Sequence, residues 1–407
     1  MSGSPRVLFV THNAPRYVGD AAGSFVLRLA HALQQQGAQV DILAPGAAGL
    51  APHEQLEGVS ITRVRYADDQ DMTLAYEGNM AELVRASWRG KRSLVQLMLA
   101  MRRTTARTLD AARRAGMPYD IVHAHWWFPA ALSLWHLRAR TAVGTPLVIT
   151  MHGSDVRLAE RTAPAHPLMR AVLGEAAIRT AVSSWLADTA QRIAPAAPVL
   201  VSPMPVDMRL FREKPVPPPP REGVLFVGRL NAQKGIADLL DAMARPALAG
   251  VPLHVVGDGP DRAALEARAR AAGLEHRITW HRVLSQSELV PLYRAARVVA
   301  MPSRAEGLGL VAVEAQLCGT PVVAYADGGL PDVVHPDRGG TLVTVGDIDA
   351  LARAIALTLE NAERAEQLGA IAREDMLARF SPEAAAQRYL RHYQDARGHD
   401  THREHDS

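Results

Sequence analysis

The stretch Val298–Asp332, VVAMPSRAEGLGLVAVEAQLCGTPVVAYADGGLPD, restricts the folds open to this chain more than any other. Val298 to Met301 is an apolar run ended by Pro302 and reads as a short buried strand. The loop SRAEGLG follows, with two glycines, and Leu310 to Leu317 reads as a helix stopped by Gly319 and Pro321. Thr320 to Ala324 begins a second buried strand. A strand–loop–helix–strand unit of this kind belongs to a parallel α/β sheet. Its loop delivers the chain to a helix N-terminus, where free backbone N–H groups and the helix dipole suit anionic or hydroxyl-rich ligands.

Two glutamates give this unit its chemistry. Glu306 lies in the loop. Glu314 lies inside the helix, four residues after Leu310 and three before Leu317, and so shares a face with apolar side chains. A carboxylate there is costly unless it is paired or hydrogen-bonded, and a ligand carrying hydroxyls would supply the bonds. A solvated glutamate on a marginal helix is the plainer alternative.

The runs E-G-L-G-L-V-A-V-E-A, C-G-T-P-V-V-A and G-G-L-P-D closely resemble the E-x7-E region of family 4 retaining glycosyltransferases, which have the GT-B fold. The resemblance implies that Glu314 holds the ribose hydroxyls of a nucleotide-sugar. It implies that Glu306 contacts donor-sugar hydroxyls near the anomeric carbon, assisted by the backbone N–H groups of Gly307, Leu308, Gly309 and Leu310. The family usually has Phe at the position of Leu308 and Glu at that of Asp332.

At 407 residues the chain is long enough for two domains with their own cores. Its 45 basic and 42 acidic residues, net +3, are too balanced for charge alone to imply nucleic-acid binding. One cysteine, Cys318, excludes an internal disulfide framework and a cysteine-built zinc site. The opening MSGSPRVLFV lacks a signal-peptide pattern, and no apolar run approaches the ~20 residues of a membrane span. A cytoplasmic protein is expected, at most peripheral at the inner membrane face.

The first half reads as one α/β domain. Val7–Val10 and Val40–Leu43 are buried strands around a helix from about Phe25 to Gln36. No G-x-G-x-x-G is present in the loop between them, which weighs against a dinucleotide enzyme. The family often carries adjacent glycines in this loop, near the donor diphosphate; here Asp20-Ala21-Ala22 separates Gly19 from Gly23, and Gly19 is either that contact or a plain turn. Residues 82–115 read as a long helix, broken at Gly90 if anywhere. It has nine Lys/Arg and one acid between Arg85 and Arg114, with Trp88, Leu94, Leu97, Met98 and Met101 as apolar surface. Such a helix suits an anionic membrane, or is an ordinary solvated helix with a core-facing stripe. The strand Asp120–His125 ends in His123-Ala124-His125, which reads as a satisfied pair lining the cleft in preference to a metal site. Trp126-Trp127-Phe128 follow, as sugar-stacking faces or as core. Leu147–Thr150 leads into Met151-His152-Gly153-Ser154-Asp155; by resemblance, His152 sits over the donor sugar near the reacting bond.

The linker KPVPPPP, Lys214–Pro220, is stiff and extended. Beyond it, Gly228-Arg229-Leu230 through Lys234-Gly235 resembles the family's G-R-L-x-x-x-K-G. Arg229 and Lys234 can neutralise a departing diphosphate. Gly257-Asp258-Gly259-Pro260 reads as a structural turn. His281 and Arg282 stand where the family usually has a glycine near the nucleotide base. Asp69-Gln70-Asp71 and Asp347-Ile348-Asp349 have metal-binding D-x-D spacing but lie in a polar loop and at a helix start, and read as incidental.

The resemblance covers most of the chain and implies a GT-B architecture, two doubly wound Rossmann-like domains facing across a cleft. The expected bounds are an acceptor-binding domain over 1–214, a linker over 215–220, a nucleotide-sugar-binding domain over 221–380, a helix over 381–397 crossing back to the first domain, and a disordered tail over 398–407. The implied activity is retaining, metal-independent transfer of a sugar from a nucleotide-sugar to an acceptor hydroxyl, with His152, Glu306, Arg229 and Lys234 catalytic. A UDP-sugar is favoured over GDP-mannose as donor; the acceptor is a lipid, a glycan or a small molecule. No cofactor and no nucleic-acid partner are expected. A nucleotide-sugar epimerase on the same fold and a non-catalytic sugar-binding protein are the alternatives.

Overall fold

Short β-branched runs such as Val7–Val10 and Val322–Tyr325 are buried along their whole length. A strand with no polar face needs helices above and below it, which is the condition for a doubly wound parallel sheet. The computed structural model, describing residues 4–20, 22–76, 80–137, 144–196, 198–211 and 220–403, has two such sheets. The chain divides into one unit of Met1–Pro205 with Pro382–Ser407 and a second of Val206–Ser381.

The first unit holds β1 (Arg6–Val10), β2 (Gln39–Pro45), β3 (His53–Leu56), β4 (Val59–Val64), β5 (Ile121–His125), β6 (Leu147–Met151), β7 (Ile178–Ala181) and β8 (Leu200–Val201). Their order is β3-β4-β2-β1-β5-β6-β7-β8, and only β3 runs antiparallel to its neighbour. The strand order reverses between β1 and β5, so the mouth of this sheet opens where those two strands end. Helix Ser24–Gln35 buries Val26, Leu27, Leu29, Ala30 and Leu33. It packs within the same unit against the terminal helix Pro382–Arg403.

Two expectations are corrected here. The first unit ends at Pro205, upstream of residue 214, because the Val206 N–H donates to the Phe380 carbonyl at 3.0 Å and ties this turn into the second unit. Of the linker expected over 215–220, residues 215–219 lie outside the described residues. The tail expected to be disordered from 398 continues the terminal helix to Arg403, since Gly398 alone, at about 1 kcal/mol, does not stop a helix already propagating. Residues 404–407 lie outside the described residues.

The long basic helix is two helices, Met80–Ala86 and Trp88–Arg114. The break is at Ser87, whose hydroxyl accepts from the Gly90 N–H at 2.9 Å as an N-cap, and not at Gly90. Gly90 is instead a close approach: a Cβ there would stand 2.3 Å from the Leu83 carbonyl oxygen. Leu97 and Met101 face the core with Ser93, Thr105 and Leu109, while Trp88, Val95 and Leu99 are exposed beside Arg92, Arg103 and Arg107.

The second unit holds β9 (Glu222–Val227), β10 (Leu253–Val256), β11 (Ile278–His281), β12 (Ala296–Met301), β13 (Val322–Tyr325) and β14 (Gly340–Val343), all parallel, in the order β11-β10-β9-β12-β13-β14. Its core joins Val224, Phe226, Leu240, Leu253, Val298 and Ile355. Here the order reverses between β9 and β12, so the turns leaving those two strands meet at the switch point. No helix among the described residues is long and apolar enough to cross a membrane.

Candidate active site

The turn after β9 carries Arg229 and Lys234; the loop after β12 carries Glu306. The sheet order therefore brings together residues that the sequence keeps far apart. Lys234 Nζ lies 2.5 Å from Glu306 Oε2, with both side chains mostly buried. Arg229 is exposed and makes no ion pair among the described residues, which leaves its guanidinium available.

The Glu306 loop is held from two sides. On one, the Arg304 N–H donates to the Gln233 carbonyl at 2.8 Å, and the Gln233 amide reaches the Ala305 carbonyl at 3.3 Å. Gly235 is obligatory at that contact, since a Cβ would stand 1.9 Å from the Pro302 oxygen. On the other, Asp327 Oδ2 accepts the Ala305 N–H at 2.9 Å, and the Gly329 N–H donates to the Glu306 carbonyl at 2.7 Å. Ala305 itself has φ +52°, a left-handed conformation costly for alanine and sustained by these bonds. Gln233 and Asp327 are supports the sequence reading missed; the G-G-L-P-D match, directly after Asp327, was the available signal.

Leu310–Leu317 is the helix the sequence predicts, preceded by Gly309 at φ +93°. The amides of Gly307, Leu308, Gly309 and Leu310 have no acceptor among the described residues and remain available to a ligand. Leu308 is buried and Leu310 is 43% exposed. Glu314 is buried, but a hydroxyl-rich ligand is not required to satisfy it. Tyr293 donates its hydroxyl to Oε2 at 2.9 Å, and Gln286 donates to Oε1 at 3.1 Å. Burial, reinforced by the Glu314 charge, pushes the Tyr293 hydroxyl well above its ordinary pKa, keeping it a donor.

The Gly257–Pro260 turn supports the Arg229 turn. A Cβ at Gly257 would lie 2.0 Å from the Gly228 oxygen, and one at Gly259 would lie 2.3 Å from the Leu230 oxygen. His281 stacks on His254, with ring nitrogens 3.1 Å apart, and Arg282 pairs with Asp258 at 3.0 Å.

In the first unit, His12 follows β1, His125 ends β5 and His152 follows β6, so all three gather at the mouth of that sheet. Trp126 lies between rings, 4.1 Å from His12 and 4.2 Å from His152 by centroid. His125 Nδ1 is 3.1 Å from His152 Nε2. His12 was absent from the sequence reading, because no motif marks it. Asp155 fixes the turn that presents His152: it accepts the N–H groups of Trp127 at 3.0 Å, Gly153 at 3.0 Å and His152 at 3.2 Å. Burial raises its pKa to about 6 despite these bonds. Burial lowers His12 to about 4 and His125 to about 3, and holds His152 well below 6.5, so the cluster is neutral.

His123 is a correction. It does not line an open cleft; it is fully buried, with Nδ1 2.8 Å from the Tyr393 hydroxyl and Nε2 2.7 Å from the Thr150 hydroxyl. Gly19 has φ +92° and nothing within 4 Å of a built Cβ. The close approach in that loop belongs to Gly23, whose Cβ would stand 2.8 Å from the Asn13 carbonyl oxygen. Asp347 caps the following helix through the Ala350 N–H at 2.8 Å, and Asp349 pairs with Arg245. Among the described residues, no group of three or more His, Cys, Asp or Glu side chains is placed to hold a metal ion.

Two family descriptions account for nearly the whole chain: residues 22–210 match Glycosyltransferase Family 4, and residues 207–375 match Glycosyl transferases group 1. The 2-deoxystreptamine N-acetyl-D-glucosaminyltransferase of Streptomyces fradiae is 32% identical over 93% of this chain and 92% of its own length. The chain is a family 4 glycosyltransferase. A second relative of this glycosyltransferase is D-inositol 3-phosphate glycosyltransferase 2 of Catenulispora acidiphila, 31% identical over 95% of this chain and 94% of the relative. Sucrose-phosphate synthase from Thermosynechococcus elongatus superimposes with a TM-score of 0.74, at 25% identity, over 96% of this chain and 98% of that one. The family 4 glycosyltransferase thus has the GT-B fold.

Proposed function

We propose that this glycosyltransferase moves a sugar from a nucleotide-sugar, a UDP-sugar before GDP-mannose, onto a hydroxyl of a small ring polyol, with retention of anomeric configuration and without a catalytic metal. The observation that carries the reading is the Arg229–Lys234–Glu306 constellation at the switch point of the second unit. Arg229 and Lys234 supply fixed positive charge for a departing diphosphate, the role a metal would otherwise fill. Glu306 meets the donor sugar's hydroxyls beside the unpartnered amides of Gly307–Leu310, Glu314 meets the ribose, and His152 meets the sugar. The Gly19 contact to the diphosphate belongs to the same proposal. No general base is assigned for a double displacement, so the leaving phosphate takes the acceptor's proton in a front-face reaction. The two relatives support a ring-polyol acceptor, since their names specify 2-deoxystreptamine and inositol 3-phosphate, both cyclitols. Both are transferases, which favours transfer over epimerisation.

The test has three parts. A melting-temperature panel with UDP-, GDP-, ADP- and dTDP-sugars identifies the donor, because a ligand selective for the folded chain raises the midpoint. Turnover of that donor onto inositol 3-phosphate or 2-deoxystreptamine is then followed before and after exhaustive EDTA treatment. Proton NMR of the product reads the new linkage. Activity that EDTA abolishes and a divalent ion restores, or an inverted anomeric centre, overturns the mechanism.

A further inference from the structure

His125 is fully buried, and its two ring nitrogens differ: Nδ1 faces His152 Nε2 at 3.1 Å, while Nε2 has no partner among the described residues. Between two neutral rings one nitrogen of that pair donates and the other accepts. If His152 donated from Nε2, His125 would accept at Nδ1 and its own proton would sit on Nε2, as a buried N–H with no acceptor. If His125 donates from Nδ1, what is left buried at Nε2 is a bare lone pair. Orphaned buried N–H groups are rarer and costlier than under-used acceptors.

We propose that His125 is a positioning residue that holds His152 as its Nδ1–H tautomer, so that His152 presents a hydrogen-bond donor, and no basic lone pair, to a sugar hydroxyl or other neutral oxygen. The sugar assignment rests on the transfer reading above; the tautomer does not. The outward nitrogen is His152 Nδ1, which has no protein partner among the described residues and is not one of the sealed, unsatisfied atoms. The surroundings agree. His152 packs on Phe25 at 5.0 Å and Trp126 at 4.2 Å, both uncharged. The titratable groups facing it are His12 and His125, which oppose protonation, and Asp155, whose carboxylate is engaged by backbone N–H groups. A donor of this kind strengthens on an oxygen gaining negative charge and cannot remove the acceptor's proton, in keeping with a reaction that leaves proton transfer to the phosphate.

The test uses the full chain labelled with 15N-histidine, ligand-free, and two-bond 15N–1H correlation spectra. The wild type shows His152 protonated on Nδ1 and bare on Nε2. His125→Leu loses that pattern and lowers kcat about tenfold or more, with donor KM within about twofold, using the donor selected by the melting panel. His125→Asn, whose Nδ2–H stands where the imidazole Nδ1–H stood, restores the pattern and most of kcat. A wild-type His152 protonated on Nε2, or an Asn variant no better than Leu, overturns the proposal. If His125→Leu does not fold, the wild-type spectrum decides alone. That spectrum is read without substrate, so it separates this inference from the fate of the transfer reading.

Discussion

Lys234 and Glu306, 72 positions apart in the chain, are joined by an ion pair of 2.5 Å across the switch point of the second sheet. Without ligand each neutralises the other. Under the proposed function, a diphosphate bound at Lys234 would compete with Glu306 for the cation and would free the carboxylate for the sugar that the diphosphate carries. On that proposal the pair would couple nucleotide binding to exposure of the sugar-binding group.

Glu306→Gln separates the two halves of that relationship. Turnover is expected to fall about 100-fold, since a sugar contact near the reacting carbon is lost. Affinity for UDP is expected to hold or rise, because Lys234 is released from its partner. Steady-state kinetics and calorimetry with UDP check this; weaker UDP binding in a folded variant would contradict it.

Glu314→Ala is expected to weaken nucleotide binding by about 1.5–3 kcal/mol through lost hydrogen bonds to ribose. Tyr293→Phe removes the hydroxyl that Glu314 Oε2 accepts and leaves a buried carboxylate one partner short, costing about 1–2 kcal/mol of stability in urea unfolding. With both singles and the double variant measured by urea unfolding, the double variant should fall short of the sum of the singles, because the two residues share one bond. Strict additivity would show that the bond is not formed in solution.

The pH dependence of stability follows from the histidine cluster. His12 is lowered to about 4 and His125 to about 3, and His152 lies well below its ordinary 6.5, all chiefly through burial. The unfolded chain therefore binds protons that the folded chain refuses, and stability falls as pH drops from about 6.5 towards 3. Asp155, raised to about 6 by burial, acts in the opposite sense between about 6 and its ordinary 3.8. Three groups outweigh one, so the unfolding midpoint should decline steadily below pH 6.5. Replacing His125 with Phe should flatten that decline; an unchanged slope would remove His125 from the account.

The exposed face of helix Trp88–Arg114 sets Trp88, 79% exposed, with Val95 and Leu99 among Arg92, Arg103 and Arg107. If the acceptor is lipid-borne, the chain should co-sediment with anionic vesicles at low salt and release as salt rises, and Trp88→Ala should weaken binding several-fold. No binding to phosphatidylserine vesicles at low salt would leave a soluble acceptor, the outcome the cyclitol reading requires.

The sequence determined what is local. Apolar runs of strand length, glycine and proline stops, and the spacing that puts Glu314 on an apolar helix face are properties of neighbouring residues, and they gave two parallel α/β units and helix Leu310–Leu317 to the residue. The E-x7-E and G-R-L-x-x-x-K-G matches added a family because many positions agreed in one structural context. The tertiary structure decided whatever depends on strand order. Periodicity shows that β9 and β12 are strands but not that they are adjacent, and only adjacency brings Lys234 to Glu306. Likewise His12, His125 and His152 become one cluster because β1, β5 and β6 lie side by side, and His12 bears no local mark. Partners for buried groups were equally hidden. That Tyr293 satisfies Glu314, or that Tyr393 and Thr150 satisfy His123, is a fact about side chains many residues apart. The cost of burying an unpaired polar atom requires that a partner exist, and only packing selects which residue it is.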